Sequence, residues 1–294
     1  MLEVSHLTRT YGELRAVDDV SFVVPAGQMI GFVGGNGAGK TTTMRMIMGL
    51  LAPDAGAVRW QGRPISRHDR ARFGYMPEER GLYAKQPILD QLIYLARLKG
   101  MTHADAHAEA TVLLERFGLG ERVKDKLEKL SLGNQQRVQI TAAVMADPIG
   151  LILDEPFSGL DPKATDQMAG LLAERAARGV PVLFSSHQLD LIDRLCDGLV
   201  ILSEGRVVAA GTKEELEARG AVRHRLVLAG DAGWVRDLRG LRVDDVDGGT
   251  ALLEVLVPGA ENELLAQALQ RGRVLEFARL RPTLSEIYRE VTAA

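Results

Sequence analysis

The segment GFVGGNGAGKTTT restricts the fold more than any other part of the chain. Gly34 is followed by four residues and then by Gly39, Lys40 and Thr41. An apolar run precedes the segment and a run of helical composition follows it, so the glycines lie between a predicted strand and a predicted helix. This spacing in this setting is the pattern of a phosphate-binding loop. The sequence therefore predicts an α/β domain that binds the phosphates of a nucleotide.

The residue types of the loop fit that chemistry. Backbone N–H groups of a glycine-rich turn reach a phosphate without a Cβ atom in the way, and the helix N-terminus adds partial positive charge. Lys40 is expected to reach the β- and γ-phosphates, and Thr41 to ligate Mg²⁺. A glycine loop that only caps a helix is the alternative, but such a match arises by chance in on the order of one per cent of chains like this. The predicted nucleotide ligands are Gly34, Asn36, Gly37, Ala38, Gly39, Lys40, Thr41 and Thr42.

A pair of acids follows a second apolar run, in LILDEPFSGLD. Asp154 and Glu155 then lie at the carboxyl edge of a parallel sheet, where ligands of such folds bind. Asp154 suits a place in the outer coordination shell of magnesium, and Glu155 suits the positioning and polarisation of the attacking water. A helix N-cap is the alternative for such a pair, and the loop upstream favours the catalytic interpretation.

A histidine follows a third apolar run, in VLFSSHQLD. At this place His187 is expected to contact the γ-phosphate and to sense its presence. A purely structural histidine is the alternative.

The periodicity of the rest of the chain predicts a layered α/β architecture. Short strands at the N-terminal side form a small β layer, and buried strands form a parallel sheet. Helical patterns dominate between the two phosphate motifs, which predicts a helical insert. The predicted elements are strands 2–8, 19–24 and 57–60 in the layer, strands 28–33, 151–153 and 182–184 in the sheet, and the insert at 87–147.

Length and composition limit the class of protein. The 294 residues favour two domains, and the net charge of −3 with a pI near 6.1 provides no basic field for nucleic acid. No stretch reaches the roughly 18 apolar residues of a membrane span, and the polar N-terminus is unlike a signal peptide, so we expect the chain to stay inside the cell. The single cysteine, Cys196, fits a reducing compartment and is expected in a helix core.

The segment LSLGNQQRVQI, residues 130–140, resembles the signature motif of ABC-type ATPases. With the other motifs the resemblance covers residues 1–217, and it implies a P-loop NTPase with a RecA-like parallel sheet, an antiparallel β layer and a helical subdomain. It also implies that Ser131 and Gly133 face the γ-phosphate held by a partner subunit. A helix N-terminus with a hydroxyl suits an anion. An ordinary serine N-cap is the alternative, and both interpretations can hold at once.

This sequence departs from the family pattern in three places. Leu132 and Asn134 replace the most frequent signature residues, and Gly35 replaces a side chain of the phosphate loop. In GYMPEERGLY, Glu78 stands where the family has a glutamine that touches Mg²⁺ and the attacking water. Because a carboxylate is also a hard oxygen ligand, Glu78 is expected to keep the metal-binding role beside Thr41 and Asp154.

Two further residues take their roles from the resemblance. Tyr11 matches the aromatic residue that stacks on adenine, with a strand-end core tyrosine as the alternative. Asp161 matches the loop that links the two nucleotide sites of a dimer, with a cap of the helix that begins near Pro162 as the alternative.

The resemblance implies a pair of chains that bind two ATP molecules, with Mg²⁺, between them. It also implies a transmembrane permease subunit, and therefore a place at the cytoplasmic face of the membrane. The groove bordered by residues 78–87 is where the family receives helices of its membrane subunits, and RGLYAKQPILDQL has the apolar character for it. A plain helical core is the alternative.

A separate segment, residues 221–294, follows the predicted helix C-cap Gly220. Its pattern is βαββαβ with a final amphipathic helix, which indicates a small ferredoxin-like α+β domain. Together with PEERGLY and LGNQQRV it resembles bacterial export subunits of the sodium-extrusion and antibiotic-resistance type. We expect a regulatory or dimer-supporting role. The predicted elements are strands 222–229, 241–246, 250–257 and 273–279 and helices 232–238 and 261–271.

Two functional classes remain. The first is the ATPase subunit of a membrane exporter, and the second is a soluble ABC-type ATPase that acts on DNA or the ribosome. Long coiled coils or a second ATPase unit in the chain would favour the second class, and the sequence has neither. A GTPase is a third class, but the chain lacks an Asn-Lys-x-Asp segment. The exporter ATPase is therefore the prediction.

Overall fold

The computed structural model describes residues 1–79, 81–219 and 223–293. The chain folds into two compact units, Met1–Lys213 and Glu214–Ala294. No helix of the described ranges combines the length and the apolar character that a bilayer crossing needs. The elements of the first unit are β1 (Leu2–Tyr11), β2 (Leu14–Val24), β3 (Met29–Gly34), α1 (Lys40–Ile47), β4 (Ala55–Trp60), β5 (Arg63–Pro64), α2 (Arg67–Arg72), β6 (Gly74–Met76), α3 (Ile88–Leu98), α4 (His103–Arg116), α5 (Leu132–Val144), β7 (Leu151–Leu153), α6 (Pro162–Ala177), β8 (Val182–Ser185), α7 (Leu189–Leu195), β9 (Gly198–Ser203) and β10 (Arg206–Thr212).

A six-stranded sheet in the order β10-β9-β3-β8-β7-β6 forms the centre of this unit. The pairs from β9 to β6 are parallel, and β10 adds an antiparallel edge. Every residue of β3, β7 and β8 is buried, which is why these strands read as short uninterrupted apolar runs. The three predicted strands of the sheet are confirmed, whereas β6, β9 and β10 were not predicted.

A second sheet, in the order β2-β1-β4-β5, is antiparallel and forms the predicted small β layer. Its strands are longer than predicted. One apolar core lies between the two sheets, in which the rings of Phe22 and Phe32 lie 5.2 Å apart and those of Trp60 and Phe73 5.1 Å apart. The layer is thereby fixed to the parallel sheet that carries the phosphate loop.

The helical insert is confirmed, since α3, α4 and α5 lie between β6 and β7. Apolar side chains such as Leu92, Leu114 and Val138 are fully buried among these helices. Cys196 is buried, as expected, but it directly follows the last residue of α7. The expectation that Cys196 lies within a helix is therefore wrong. Burial in apolar surroundings raises the pKa of its thiol.

The second unit is a small α+β fold. Its strands pair antiparallel in the order β12-β13-β11-β14, which is the ferredoxin-like arrangement. The segment Gly233–Asp237 is a 3-10 helix where an α-helix was predicted, while Gly220 and the predicted domain start at 221 lie outside the described residues. The elements are α8 (Lys213–Arg219), which begins at the junction, β11 (Arg223–Leu228), β12 (Leu241–Asp247), β13 (Thr250–Val255), α9 (Ala260–Arg271), β14 (Val274–Leu280) and α10 (Leu284–Ala293).

Candidate nucleotide site

The phosphate loop connects the end of β3 to the start of α1. Gly39, which precedes the first helical residue, has a left-handed φ of 98°, and a Cβ atom there would lie 2.6 Å from the carbonyl oxygen of Ala16. Only glycine fits such a position. The loop therefore depends on this glycine for both its conformation and its packing.

The side chains that follow Gly39 have different tasks. The Nζ atom of Lys40 donates to the carbonyl oxygens of Gly34, at 2.7 Å, and Gly35, at 3.2 Å, so the ammonium lies over the loop. Thr43 is fully buried, and its hydroxyl donates to the carbonyl of Gly39 at 2.9 Å. The third threonine of the run is thus structural, and Thr41 and Thr42 are the two that line the cleft.

Oxygen atoms from three segments meet beside Thr41. Its hydroxyl donates to Oδ2 of Asp154 at 2.7 Å and lies 3.4 Å from Oε2 of Glu78. Asp154 is 1% exposed, and its other oxygen accepts from the Ser185 hydroxyl at 2.6 Å. Carboxylate and hydroxyl oxygens are the donors that Mg²⁺ prefers. The described residues contain no group of three or more His, Cys, Asp or Glu side chains with metal-site geometry. Phosphate oxygens and water would therefore complete the coordination of Mg²⁺.

Glu155 and His187 form a pair next to these oxygens. Nδ1 of His187 lies 3.0 Å from Oε2 of Glu155, and the Glu155 side chain is 16% exposed. Burial raises the pKa of Glu155, and the neighbouring His187 partly opposes that rise. Glu155 has a left-handed φ of 49°, a backbone conformation that is uncommon for a residue other than glycine. The structure therefore places His187 in contact with Glu155, the residue predicted to position the attacking water.

The phosphate loop, Glu78, Asp154 and Glu155 share one cleft of about 520 Å³, and His187 is not among the residues that line it. Tyr11 lies in its wall and is 47% exposed, so the alternative of a core tyrosine is wrong. The guanidinium of Arg9 lies 5.0 Å from the Tyr11 ring centre and is bonded to Asp54 at 2.7 Å. The lining residues are Tyr11, Leu14, Ala16, Asn36, Gly37, Ala38, Gly39, Lys40, Thr41, Thr42, Glu78, Asp154 and Glu155.

The signature residues lie outside this lining. Ser131 is the N-cap of α5, and its hydroxyl accepts from the backbone N–H of Asn134 at 3.4 Å. A Cβ atom on Gly133 would lie 2.8 Å from the carbonyl oxygen of Gly159, so the glycine permits close approach of the two segments. Leu132 between them is 62% exposed. The structure thus brings the signature next to the segment that follows Glu155. Leu132 lines a separate cavity of about 510 Å³ together with Asn36 of the phosphate loop and His187, whereas Ser131 and Gly133 are not among the lining residues of either cavity.

Asp161 does what the alternative interpretation predicted and something further. Its side chain caps α6 by accepting from the backbone N–H of Ala164 at 2.8 Å, and its other oxygen pairs with Arg137 of α5 at 2.9 Å. The side chain therefore joins the start of α6 to the signature helix.

The sequence analysis missed three polar residues that support the site. Gln136 donates to the carbonyls of Glu155 and Pro156 at 2.9 and 3.0 Å, Gln139 donates to the carbonyl of Pro77 at 2.7 Å, and Ser185 bonds Asp154 and the Glu155 backbone. Both glutamines are buried in α5. Glutamines at buried positions of an otherwise apolar helix face were the available signal.

A second groove lies beside the helical insert and has a volume of about 440 Å³. Most of its lining is apolar, and Lys99 is the one charged side chain among the described residues that line it. Burial lowers the pKa of Lys99. The lining residues are Ala71, Phe73, Tyr75, Pro77, Gly81, Leu82, Leu95, Leu98, Lys99, Gln139 and Ala142.

Comparison with known proteins agrees with this geometry. A family model described as ABC transporter matches residues 17–158, and one described as ATP-binding protein DrrA1-3-like, C-terminal domain, matches residues 211–292. The chain is 39% identical to the uncharacterized ABC transporter ATP-binding protein YhaQ of Bacillus subtilis, over 100% of this chain and 99% of that protein. It is 38% identical to Nod factor export ATP-binding protein I of Paraburkholderia xenovorans, over 74% of this chain and 72% of that protein. A solved structure of an ATP-binding subunit of an ABC transporter superposes with a TM-score of 0.70 at 36% identity, covering 74% of this chain and 92% of the other.

Proposed function

This chain belongs to the ABC transporter ATP-binding proteins, and on that basis we propose that it is the ATP-hydrolysing subunit of a membrane exporter. The observation that carries the proposal is the cleft in which Lys40, Thr41, Asp154 and Glu155 meet. A cation, a hydroxyl, a buried carboxylate and a second carboxylate are the groups that phosphoryl transfer to water requires. Export is supported by the name of the Paraburkholderia relative.

The chain's own residues divide the reaction between them. Tyr11 offers its exposed ring to the adenine. Arg9 lies over the same ring and forms an ion pair with Asp54, and these contacts hold the ring in place. Lys40 and the N-terminus of α1 bind the phosphates. Thr41, Asp154 and Glu78 would hold Mg²⁺, which neutralises phosphate charge when bound.

Glu155 orients and polarises the attacking water, and it does so as a carboxylate. The products are ADP and phosphate, and the attacking water gives up a proton to the carboxylate of Glu155. Burial favours the protonated acid, whereas His187 favours the carboxylate through its contact with Oε2. His187 therefore has two proposed roles: it contacts Glu155, and it is predicted to contact the γ-phosphate.

The signature residues supply the argument for a homodimer. Ser131 and Gly133 are not among the residues that line the nucleotide cleft, yet they form a helix N-terminus that suits an anion. A second copy of the chain brings such an N-terminus to the γ-phosphate. Asp161, bonded to Arg137, then couples the position of α6 to that of α5. ATP binding closes the pair and hydrolysis loosens it.

The second groove is the proposed docking place of a transmembrane permease subunit. Its apolar lining fits an apolar helix face, and Lys99 fits an acidic group or a helix C-terminus on that helix. The groove is next to the nucleotide site, because Pro77 lines the groove and directly precedes Glu78. The carbonyl of Pro77 also accepts a hydrogen bond from Gln139 of α5. Through such a permease the chain acts at the cytoplasmic face of the membrane.

Two measurements test the proposed function. The purified chain should release phosphate from ATP only with Mg²⁺, and Lys40→Ala should remove both hydrolysis and nucleotide binding in calorimetry. A tagged Glu155→Gln chain with ATP should bring a polytopic membrane protein out of detergent-solubilised membranes, and a Lys99→Glu chain should not. Recovery with ribosomes or DNA in place of a membrane protein would support the soluble class of ABC ATPase and contradict this proposal.

A further inference from the structure

The nucleotide cleft is unusually rich in negative charge for a site that receives a polyanion. Three carboxylates line it, those of Glu78, Asp154 and Glu155, while Lys40 is the one ammonium or guanidinium group among the described lining residues. Asp154 and Glu155 are largely buried, but Glu78 is exposed. A γ-phosphate bound at Lys40 therefore meets several like charges unless a cation lies between them.

Glu78 is placed to act on that cation. One of its oxygens lies 3.4 Å from the hydroxyl of Thr41, which in turn donates to Asp154. The residue before it, Pro77, is held to α5 by the 2.7 Å hydrogen bond from Gln139, which fixes the backbone from which the side chain extends. The exposed carboxylate of Glu78 and the buried carboxylate of Asp154 thus both lie at the hydroxyl of Thr41.

We propose that Glu78 makes the nucleotide site select the magnesium complex of ATP against metal-free ATP. The proposal rests on the proposed ATPase function. Its physical content is a difference of sign: with Mg²⁺ present the carboxylate is an anionic ligand and strengthens binding, and without Mg²⁺ it repels the phosphates and weakens binding. A neutral amide of the same size can still ligate the metal through its oxygen, but it adds neither the charge that strengthens the binding of the metal nor the charge that repels metal-free phosphates.

The neighbouring Glu79 provides a matched control. It is also exposed and carries the same charge, but it does not line the cleft. A change from Glu to Gln at either position alters the net charge of the chain equally. Any difference between the two variants therefore reports the place of the carboxylate and not the overall charge.

The test measures ATP affinity by calorimetry in chains that carry Glu155→Gln to prevent hydrolysis, once with Mg²⁺ and once with a chelator. Glu78→Gln should bind metal-free ATP about tenfold more tightly and Mg·ATP several-fold more weakly, the order expected for one exposed charge a few ångströms away in surroundings close to bulk water. Glu79→Gln should change neither affinity. Glu78→Asp, which keeps the charge, should still prefer Mg·ATP.

Each other outcome is informative. If Glu78→Gln shifts both affinities in the same direction, matches Glu79→Gln, or behaves as Glu78→Asp does, the selection does not come from this carboxylate. If the Glu155→Gln parent itself fails to bind Mg·ATP, the proposed function is contradicted, and the role of Glu78 with it. A parent that binds normally beside an unresponsive Glu78→Gln contradicts the role of Glu78 alone.

Discussion

At the scale of single residues, Glu155 is the group on which the proposed hydrolysis depends most. Its carboxylate is largely buried, contacts His187 at 3.0 Å, and stands beside Asp154 at the end of β7. Replacement by Gln preserves size and hydrogen bonding but removes the negative charge that polarises water. We expect Glu155→Gln to keep ATP binding and to lower phosphate release by about 10² or more. Undiminished release would remove Glu155 from this role.

The contact between His187 and Glu155 predicts a pH dependence. The pKa of Glu155 is raised by burial, so the carboxylate is lost as pH falls through that raised value, and hydrolysis is lost with it. His187 opposes the rise. His187→Ala should therefore move the acidic limb of the pH–rate profile to higher pH, because the acid then stays protonated to a higher pH. His103→Ala, at an exposed site on α4, is the control that should not move it.

At the scale of secondary-structure elements, α5 organises the site. Its N-terminus carries the signature, Arg137 bonds Asp161, Gln136 bonds the backbone after β7, and Gln139 bonds the backbone after β6. One helix thereby fixes the relative positions of the acidic segment, the Glu78 segment and α6. We infer that a movement of the helical insert alters all three together.

Ser131 has two separable tasks at the start of α5, a cap and a proposed phosphate contact. Ser131→Ala should lower the free energy of unfolding by about 1 kcal/mol through loss of the cap, and should lower hydrolysis as well. Ser131→Asp keeps a good capping group but places a negative charge toward the γ-phosphate. It should retain parental stability in thermal unfolding and still lose hydrolysis. Parental hydrolysis in Ser131→Asp would reduce Ser131 to a cap.

At the scale of the whole molecule, the decisive expectation is association of two chains around ATP. Ser131 and Gly133 do not line the nucleotide cleft of their own chain, and we propose that a second copy supplies them. With ATP and Mg²⁺, the Glu155→Gln chain should elute from a sizing column as a dimer, and with ADP as a monomer. Lys40→Ala in the same background should remain monomeric in both. A monomer in every condition would contradict the dimer.

The sequence alone was sufficient for the strongest local signals. The phosphate loop, the acids after β7 and the helical insert were predicted because their chemistry is encoded over a few neighbouring residues: glycines where a side chain would clash, apolar runs where strands are buried on both faces. The βαββαβ order of the second unit was also readable from alternation and turns. Its short 3-10 helix was predicted as an α-helix, because five residues are too few to show whether the side chains repeat with the period of an α-helix or of a 3-10 helix.

Only the tertiary structure showed which distant groups meet. β6 is only three residues long and β10 is mixed in polarity, so their pairing in the sheet leaves little mark in local sequence. The sequence analysis predicted no strand at the apolar run of β9, although its pattern is that of a buried strand. Contacts between segments far apart along the chain pair His187 with Glu155 and bind Gln136 and Gln139 to backbone carbonyls. The exposure of Tyr11 likewise depends on how the strands pack. The sequence determined which chemical groups the chain possesses, because that is a matter of short-range pattern. Folding determined their distances, burial and charge environment, because those depend on contacts between elements that no local window contains.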